Sequence, residues 1–379
     1  MKRILIFATA YYPHVGGAEV AVKEITDRLP GYEFDLICAR LEKNLPQQEK
    51  IGQVNVFRVG WGLPQIDKIY LAVCGYWLGL KLQRQKKYDL VWAIMASYGG
   101  FAALAFKLKT GVKYLLTLQE GDFNLKTKRK IWLVKKKFAN IFSQADGLQA
   151  ISNYLLNWGT AMGFKGLAEV VPNGVDVKNF TKVYEQSELK KVRDSWGFDR
   201  SAIILVSASR LVLKNGLADL IKALPLLPEN FCLVLIGEGR LEKNLRQLAD
   251  NLGLSSRIYF AGYHDHQELP RLLAAADIFI RPSLSEGLGN AFLEAMATRL
   301  PTIGTLVGGI PDFLTDGQTG LVCEPGNPQS ISQAIVKASK LSVQEKQALH
   351  QNAMALIEKK YNWEYIAGRM DAIFKGLTA

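Results

Sequence analysis

Two glutamates, Glu286 and Glu294, stand eight residues apart in the stretch SEGLGNAFLEAMA, residues 285–297. A glycine-rich turn and the start of an apolar helical run lie between them. Glycines let backbone amides approach a ligand closely, and the first amides of a helix have no partner inside it. The carboxylates add acceptors for hydroxyls. A ligand carrying both hydroxyls and phosphate, such as a sugar nucleotide, matches that combination. A second candidate cluster is SRLVLKNG, residues 209–216, directly after the apolar run AIILVSA. Arg210 and Lys214 leave that run together. A diphosphate needs fixed cations, and an arginine fork matches phosphate oxygens. Two solvated loop charges would give the same pattern.

Three further stretches offer weaker chemistry. In LQEGDF, residues 118–123, Gln119, Glu120 and Asp122 follow the strand-like KYLLTL. They could meet sugar hydroxyls or supply a base, while Asp122 alone could cap a helix. In GGAE, residues 16–19, Gly17 opens a helix where backbone amides could meet a phosphate, though a plain turn explains it equally. IGEGRLE, residues 236–242, imitates a nucleotide-binding turn, but Glu242 stands in the place of the third glycine. No G-x-G-x-x-G follows the first strand, which argues against a nicotinamide-dependent oxidoreductase. HDH, residues 264–266, lacks further ligands nearby in sequence, and the chain contains no Asp-x-Asp pair. Neither a metal site nor a cofactor is expected.

The elements that must position these residues alternate in type. RILIFAT, EFDLICA, VNVFRV, DLVWAIM, KYLLTL, GLQAI and AEVVP read as short strands separated by helix-length segments. The alternation breaks at PNGVDVKNF, residues 172–180, and restarts through AIILVSA, CLVLIG, RIYFAG, DIFIRPS, LPTIGT and TGLVCEP. Apolar strands alternating with helices imply parallel sheets covered on both faces. The expected organisation is two doubly wound α/β domains, 1–177 and 178–361, facing across a cleft. Ligands would then sit at the carboxyl ends of the strands.

The 379 residues carry a net charge of +12, unevenly spread. Residues 1–170 hold 24 of the 47 basic and 13 of the 35 acidic residues, so nearly all of the surplus lies there. A polyanionic partner of that half is expected. KTKRKIWLVKKKF, residues 126–138, has seven basic residues and no acid. Its apolar positions share one helical arc with most lysines opposite, a pattern suited to an anionic membrane surface or to a solvated face. No nucleic-acid motif is present. The four cysteines form no metal-type or redox-type pair and read as buried thiols of a cytosolic protein. The opening MKRILIFATAYYP has no small-residue cleavage site and reads as a first strand. The uncharged run IYLAVCGYWLGL, residues 69–80, is too short to span a bilayer.

Taken together, RPSLSEGLGNAFLEAMA and LPTIGTLVGGIPDFLTDGQTGLV resemble the donor-site signature of family-4 retaining glycosyltransferases, the glycosyl transferases group 1. GGAE, PNGVD and SRLVLKNG fall in the matching order. The resemblance implies the GT-B fold, two Rossmann-like domains with the last helix, 362–379, crossing back to the first. It implies that Glu286, Gly287, Leu288 and Gly289 hold the donor sugar, that Asn290 and Ala291 lie near the diphosphate, and that Glu294 holds the ribose. Arg210 and Lys214 would neutralise the leaving diphosphate, with Gly17 against the same phosphates. Gln119 stands where the family often has a histidine, and Glu120 and Asp122 would be acceptor or sugar contacts. Lys214 comes one residue earlier than the family's lysine, and Arg299 replaces a common glycine.

The implied activity is metal-independent transfer of a sugar from a UDP-sugar or GDP-mannose type donor, with retention, to a lipid-linked or cell-envelope glycan acceptor. The alternatives are a sugar-nucleotide epimerase of the same fold and a transferase acting on a soluble acceptor. The expected location is cytoplasmic, peripheral on the inner face of the plasma membrane.

Overall fold

The alternation of apolar strands and helices folds into two parallel sheets, one in each of two units of the computed structural model, which describes residues 1–119 and 135–379. Glu120, Asp122 and most of the basic 126–138 segment lie outside the described residues. Unit 1 comprises Met1–Asn173 and Trp363–Ala379; unit 2 is Gly174–Asn362. The division falls at 173/174 rather than 177/178 because Val175 bridges to Asn362 and its amide donates to the Tyr361 carbonyl at 2.7 Å. Those bonds tie residues just after the Pro-Asn-Gly turn to unit 2.

Unit 1 carries strands β1 (Lys2–Phe7), β2 (Tyr32–Ala39), β3 (Gln48–Ile51), β4 (Val54–Val59), β5 (Leu90–Ile94), β6 (Lys113–Leu118), β7 (Gly147–Ala150) and β8 (Leu167–Val170). Their order in the sheet is β3-β4-β2-β1-β5-β6-β7-β8, parallel except for β3 against β4. The sequence QEKI of β3 has no apolar run, so its strand character is invisible to patterning. It is an edge strand held on one side only.

Helix α1 (Gly17–Asp27) follows β1, α2 (Pro64–Lys86) follows β4, and α3 (Tyr98–Thr110) follows β5. The end of α2 is anchored through a buried charge. Lys86 Nζ lies 2.8 Å from Asp35, whose carboxylate also accepts from Asn55 at 2.8 Å and from the Tyr88 hydroxyl. A fully buried carboxylate is tolerable only when so satisfied.

The final helix, Trp363–Thr378, belongs to unit 1. Its Phe374 ring sits 5.2 Å from Trp92, 5.6 Å from Tyr32 and 6.4 Å from Phe34, centroid to centroid. Full burial of that ring contributes roughly 2–3 kcal/mol. Tyr32 donates to Asp371 at 2.7 Å, and Arg369 to Glu169 at 2.9 Å.

Unit 2 carries β9 (Ile203–Ala208), β10 (Phe231–Ile236), β11 (Ile258–Gly262), β12 (Ile278–Arg281), β13 (Thr302–Gly304) and β14 (Leu321–Val322). All pair in parallel, in the order β11-β10-β9-β12-β13-β14. The side chains of β9, β10, β12 and β13 are almost continuously buried, as expected for strands with helices on both faces, while the edge strand β11 buries only Ile258 fully.

Candidate functional site

In unit 2 the strand order reverses between β9 and β12. Open parallel sheets bind ligands at such a reversal, outside the carboxyl ends of the strands. The loops leaving these two strands are 209–216 and 282–289, and they contain Arg210, Lys214 and Glu286. Strand β12 itself ends in Arg281, a guanidinium in an otherwise apolar strand and only 5% exposed. Its Nη2 donates to Glu286 Oε2 at 3.0 Å, and its face lies 4.5 Å above the Phe292 ring. Lys214 Nζ reaches Glu286 Oε1 at 3.5 Å, and the Gly287 amide donates to the same oxygen at 3.1 Å. Glu286, 9% exposed, is thus held between two cations and a backbone donor. Burial pushes Arg281 below the ordinary arginine value, while Glu286 and then Glu294 hold it up.

Backbone bonds join the two loops into one body. The Lys214 carbonyl accepts the amides of Leu284 at 2.6 Å and Ser285 at 3.3 Å, and Asn215 Nδ2 donates to the Arg210 carbonyl at 2.6 Å. Two glycines allow this approach. At Gly216, with φ +67°, a Cβ would sit 1.9 Å from the Pro282 oxygen. At Gly308, with φ +59°, it would sit 1.8 Å from the Glu286 oxygen, which also accepts the Gly309 amide at 3.3 Å. Any side chain at either position would force the loops apart. The 236–242 turn supports this body from behind: Ser209 donates to Ile236 at 2.9 Å, Leu211 to Glu238 at 2.9 Å, and Leu241 to Leu211 at 3.1 Å. These bonds give IGEG a structural task as a strand-to-helix turn.

Helix Asn290–Ala297 starts from Gly289, which has φ +101° and no side-chain cap. Gly287, Leu288 and Gly289 are buried, and Asn290 and Ala291 half-buried. Glu294 projects from this helix and is 6% exposed; burial pushes its carboxyl up, against the lowering influence of His266 and Arg281. His266 Nδ1 lies 3.9 Å from Glu294 Oε1. His264 pairs instead with Glu268 at 2.9 Å, so the two histidines of HDH serve different partners. Among the described residues no three metal-type ligands converge. Arg210 is exposed.

The Arg299 substitution has a structural explanation. Leu300 donates to Ala295 and Arg299 to Met296, both at 3.2 Å, which is a Schellman ending of the 290–297 helix. Arg299 has φ +67°, the left-handed conformation that favours glycine.

Several buried polar atoms at the carboxyl ends of β9 and β12 have no protein partner among the described residues: Oγ of Ser207, Ser209 and Ser283, Oδ1 of Asn215 and Nε of Arg281. Buried polar groups are ordinarily paired, so this concentration at the strand reversal is consistent with a ligand-facing surface.

In unit 1 the order reverses between β1 and β5. The loops after these strands meet through the Thr9 and Ser97 hydroxyls, 3.0 Å apart. Gly17 opens α1 beyond β1 and is exposed. Gln119 stands at the end of β6, where its Oε1 accepts from Asn173 at 3.1 Å. The sequence reading missed Asn173, Arg281, Gly308 and the approach of His266 to Glu294. Arg281 alone left a signal, a charge closing the apolar strand IFIR.

Two family models cover most of the chain. The one described as Glycosyltransferase Family 4 matches residues 15–179, and the one described as Glycosyl transferases group 1 matches residues 189–356. The chain belongs to the family-4 glycosyltransferases of the GT-B fold. This glycosyltransferase is 31% identical over 252 residues to a GDP-mannose-dependent monoacylated alpha-(1-6)-phosphatidylinositol monomannoside mannosyltransferase of Corynebacterium glutamicum, a match spanning 64% of this chain and 65% of that one. It superposes on a sucrose-phosphate synthase from Thermosynechococcus elongatus with a TM-score of 0.87 at 19% identity, over 100% of this chain and 99% of the other. For Anabaena HepE, solved with UDP and glucose, the TM-score is 0.81 at 20% identity, over 99% and 100%. At such identities the structural likeness speaks to the fold of this glycosyltransferase.

Proposed function

We propose that this glycosyltransferase moves a sugar from a nucleoside-diphosphate donor, with retention and without a metal, to a lipid-linked or cell-envelope glycan acceptor. The observation that carries the reading is Glu286, buried between Arg281 and Lys214 at the strand reversal of unit 2. In this assignment Glu286 and the amides of Gly287, Leu288 and Gly289 meet the sugar hydroxyls. Asn290 and Ala291 face the diphosphate, and the Glu294 carboxylate accepts from the ribose. Arg210 and Lys214 stabilise charge on the leaving diphosphate, and Gly17 is a further proposed phosphate contact. Gln119, held by Asn173, faces the donor sugar.

The physical demand is stabilisation of the leaving group. The bond from the anomeric carbon to the diphosphate oxygen breaks as the acceptor oxygen bonds the same face of that carbon. The acceptor proton passes to the departing phosphate, so no strong protein base is required. Lys214 suits this task because Glu286 and its own carbonyl bonds already fix it, and a preorganised cation needs little reorganisation during reaction. The lipid acceptor rests on the corynebacterial relative's named acceptor and on the basic surplus of residues 1–170. On this reading the enzyme works at the inner face of the plasma membrane. Glu120 and Asp122 remain proposed acceptor contacts, and the 126–138 segment a proposed membrane contact.

The test is mass spectrometry of the purified protein with pooled UDP-, GDP- and ADP-sugars, a bacterial lipid extract and chelator. One donor should be consumed, its diphosphate released, and one lipid should gain a sugar mass. Arg210→Ala and Lys214→Ala should each lower turnover by on the order of 10²-fold or more. Conversion of a donor to its isomer without transfer would show an epimerase instead. Transfer that requires added metal would refute the metal-independent mechanism.

A further inference from the structure

The outward face of α2 is apolar for about three turns. Ile66, Ile69, Val73 and Trp77 recur at helical spacing, and each is more than half exposed. From Ile66 to Trp77 the stripe runs about 16 Å at a rise of ~1.5 Å per residue. Trp61, in the loop before the helix, extends it and stacks edge-on against Tyr70 at 4.8 Å; Tyr76 and Trp77 pair at 4.9 Å. The opposite face already forms the core of unit 1, with Leu71, Gly75, Gly79 and Leu82 buried. Among the described residues the stripe is therefore a second apolar face that the core does not use.

Its charges are of one sign. The only acid on α2 is Asp67, which is buried and accepts the amides of Trp61, Gly62 and Leu63 at 2.9, 2.7 and 3.0 Å. That bonding fixes the Trp61 loop onto the first turn of the helix. Lys68, Lys81 and Arg84 flank the stripe, the last two exposed. No helix among the described residues is long and apolar enough to cross a membrane, so a face of this kind would lie along a surface. Aromatic rings with polar edges suit the boundary between headgroups and acyl chains. Exclusively basic flanks suit anionic headgroups.

We propose that α2 is a membrane-docking helix, which lays Ile66, Ile69, Val73, Trp77 and Trp61 into the interface of a bilayer containing anionic lipid. None of these residues is among the donor contacts proposed above. Docking there would bring unit 1 to a membrane whatever sugar is transferred.

The test is flotation of the full chain with phosphatidylcholine vesicles, with and without phosphatidylglycerol. The wild type should float with the anionic vesicles. Ile69→Gln/Val73→Gln/Trp77→Gln should lose on the order of tenfold or more in partitioning, because the apolar area entering the interface sets binding strength. Lys81→Glu/Arg84→Glu should lose binding mainly at low salt. Nucleoside diphosphate affinity, measured by calorimetry on the same samples, should stay unchanged, which separates this proposal from the donor-site reading. If the triple variant does not fold, Trp77→Gln alone replaces it, read by brominated-lipid quenching of tryptophan fluorescence. Flotation of the variants equal to wild type overturns the proposal. So does a wild type that ignores both vesicles, including one that sediments as a dimer which the triple variant dissociates; the face would then be covered by a second copy.

Discussion

Replacing Arg281 by methionine keeps an unbranched apolar chain over Phe292 and deletes the charge 3.0 Å from Glu286. Glu286 then stays at 9% exposure with one cation, Lys214, at 3.5 Å. Removing one member of a buried pair costs about 3–5 kcal/mol, because the other charge is stranded. Lys214 still supplies several kcal/mol of attraction at an effective dielectric of about 20, so the loss falls at the low end, about 3 kcal/mol. For a domain the size of unit 2 that is a fall of roughly 6–12 °C in melting temperature. Glu286→Gln, which leaves a neutral acceptor beside Arg281, should cost about 1–2 kcal/mol. In the double variant Arg281→Met/Glu286→Gln no carboxylate is stranded, and the cycle should return a coupling of about 2 kcal/mol. Scanning calorimetry of the four proteins measures all of these. A shift under about 2 °C for Arg281→Met, or additive losses in the double variant, would refute the idea that Arg281 holds Glu286 in place.

Gly308→Ala places a Cβ against the Glu286 carbonyl at a left-handed φ. It should lower stability by ~2–4 kcal/mol and abolish transfer, read by thermal unfolding and by the donor-consumption assay. Arg299→Gly should do the reverse, raising stability by about 0.5–1 kcal/mol with activity unchanged, since the Schellman bonds remain and the left-handed strain is relieved. Glu294 is raised above its ordinary 4.5, so the stability its ionisation costs is regained as pH falls through the folded value toward the unfolded one. Glu294→Gln should therefore melt higher than wild type at pH 8 and lose that advantage near pH 4.5, while its nucleotide affinity falls at pH 8; a constant difference in melting temperature across that range would refute the burial argument.

Much of this architecture could be read from the chain because buried parallel strands advertise themselves. FCLVLI and IILVSA are apolar at nearly every position, and a strand sealed on both faces needs that composition. Strand β3 escaped for the opposite reason: an edge strand of alternating polar residues carries no burial signal. Glu286 and Lys214 could be nominated because a carboxylate and a lysine beside glycine-rich turns are unusual company. Their actual distance, and the part played by Arg281, depend on the β9–β12 reversal, which periodicity does not encode. Asn173 and Gln119 are 54 residues apart and meet only because β8 and β6 flank β7. Arg299 stood out in the sequence only as a replaced glycine; its left-handed φ at the end of the 290–297 helix shows why a glycine is common there.

The helix Trp363–Thr378 completes a domain begun at the other end of the chain. A ribosome makes all of unit 2 before that helix emerges. Until then Tyr32, Phe34 and Trp92 lack the Phe374 ring that covers them. Unit 2 can fold as one uninterrupted stretch while it is still being made, but the first domain must wait with an aromatic face open. That interval is when the nascent protein most needs a chaperone, and a premature stop before Trp363 would leave a permanently sticky product.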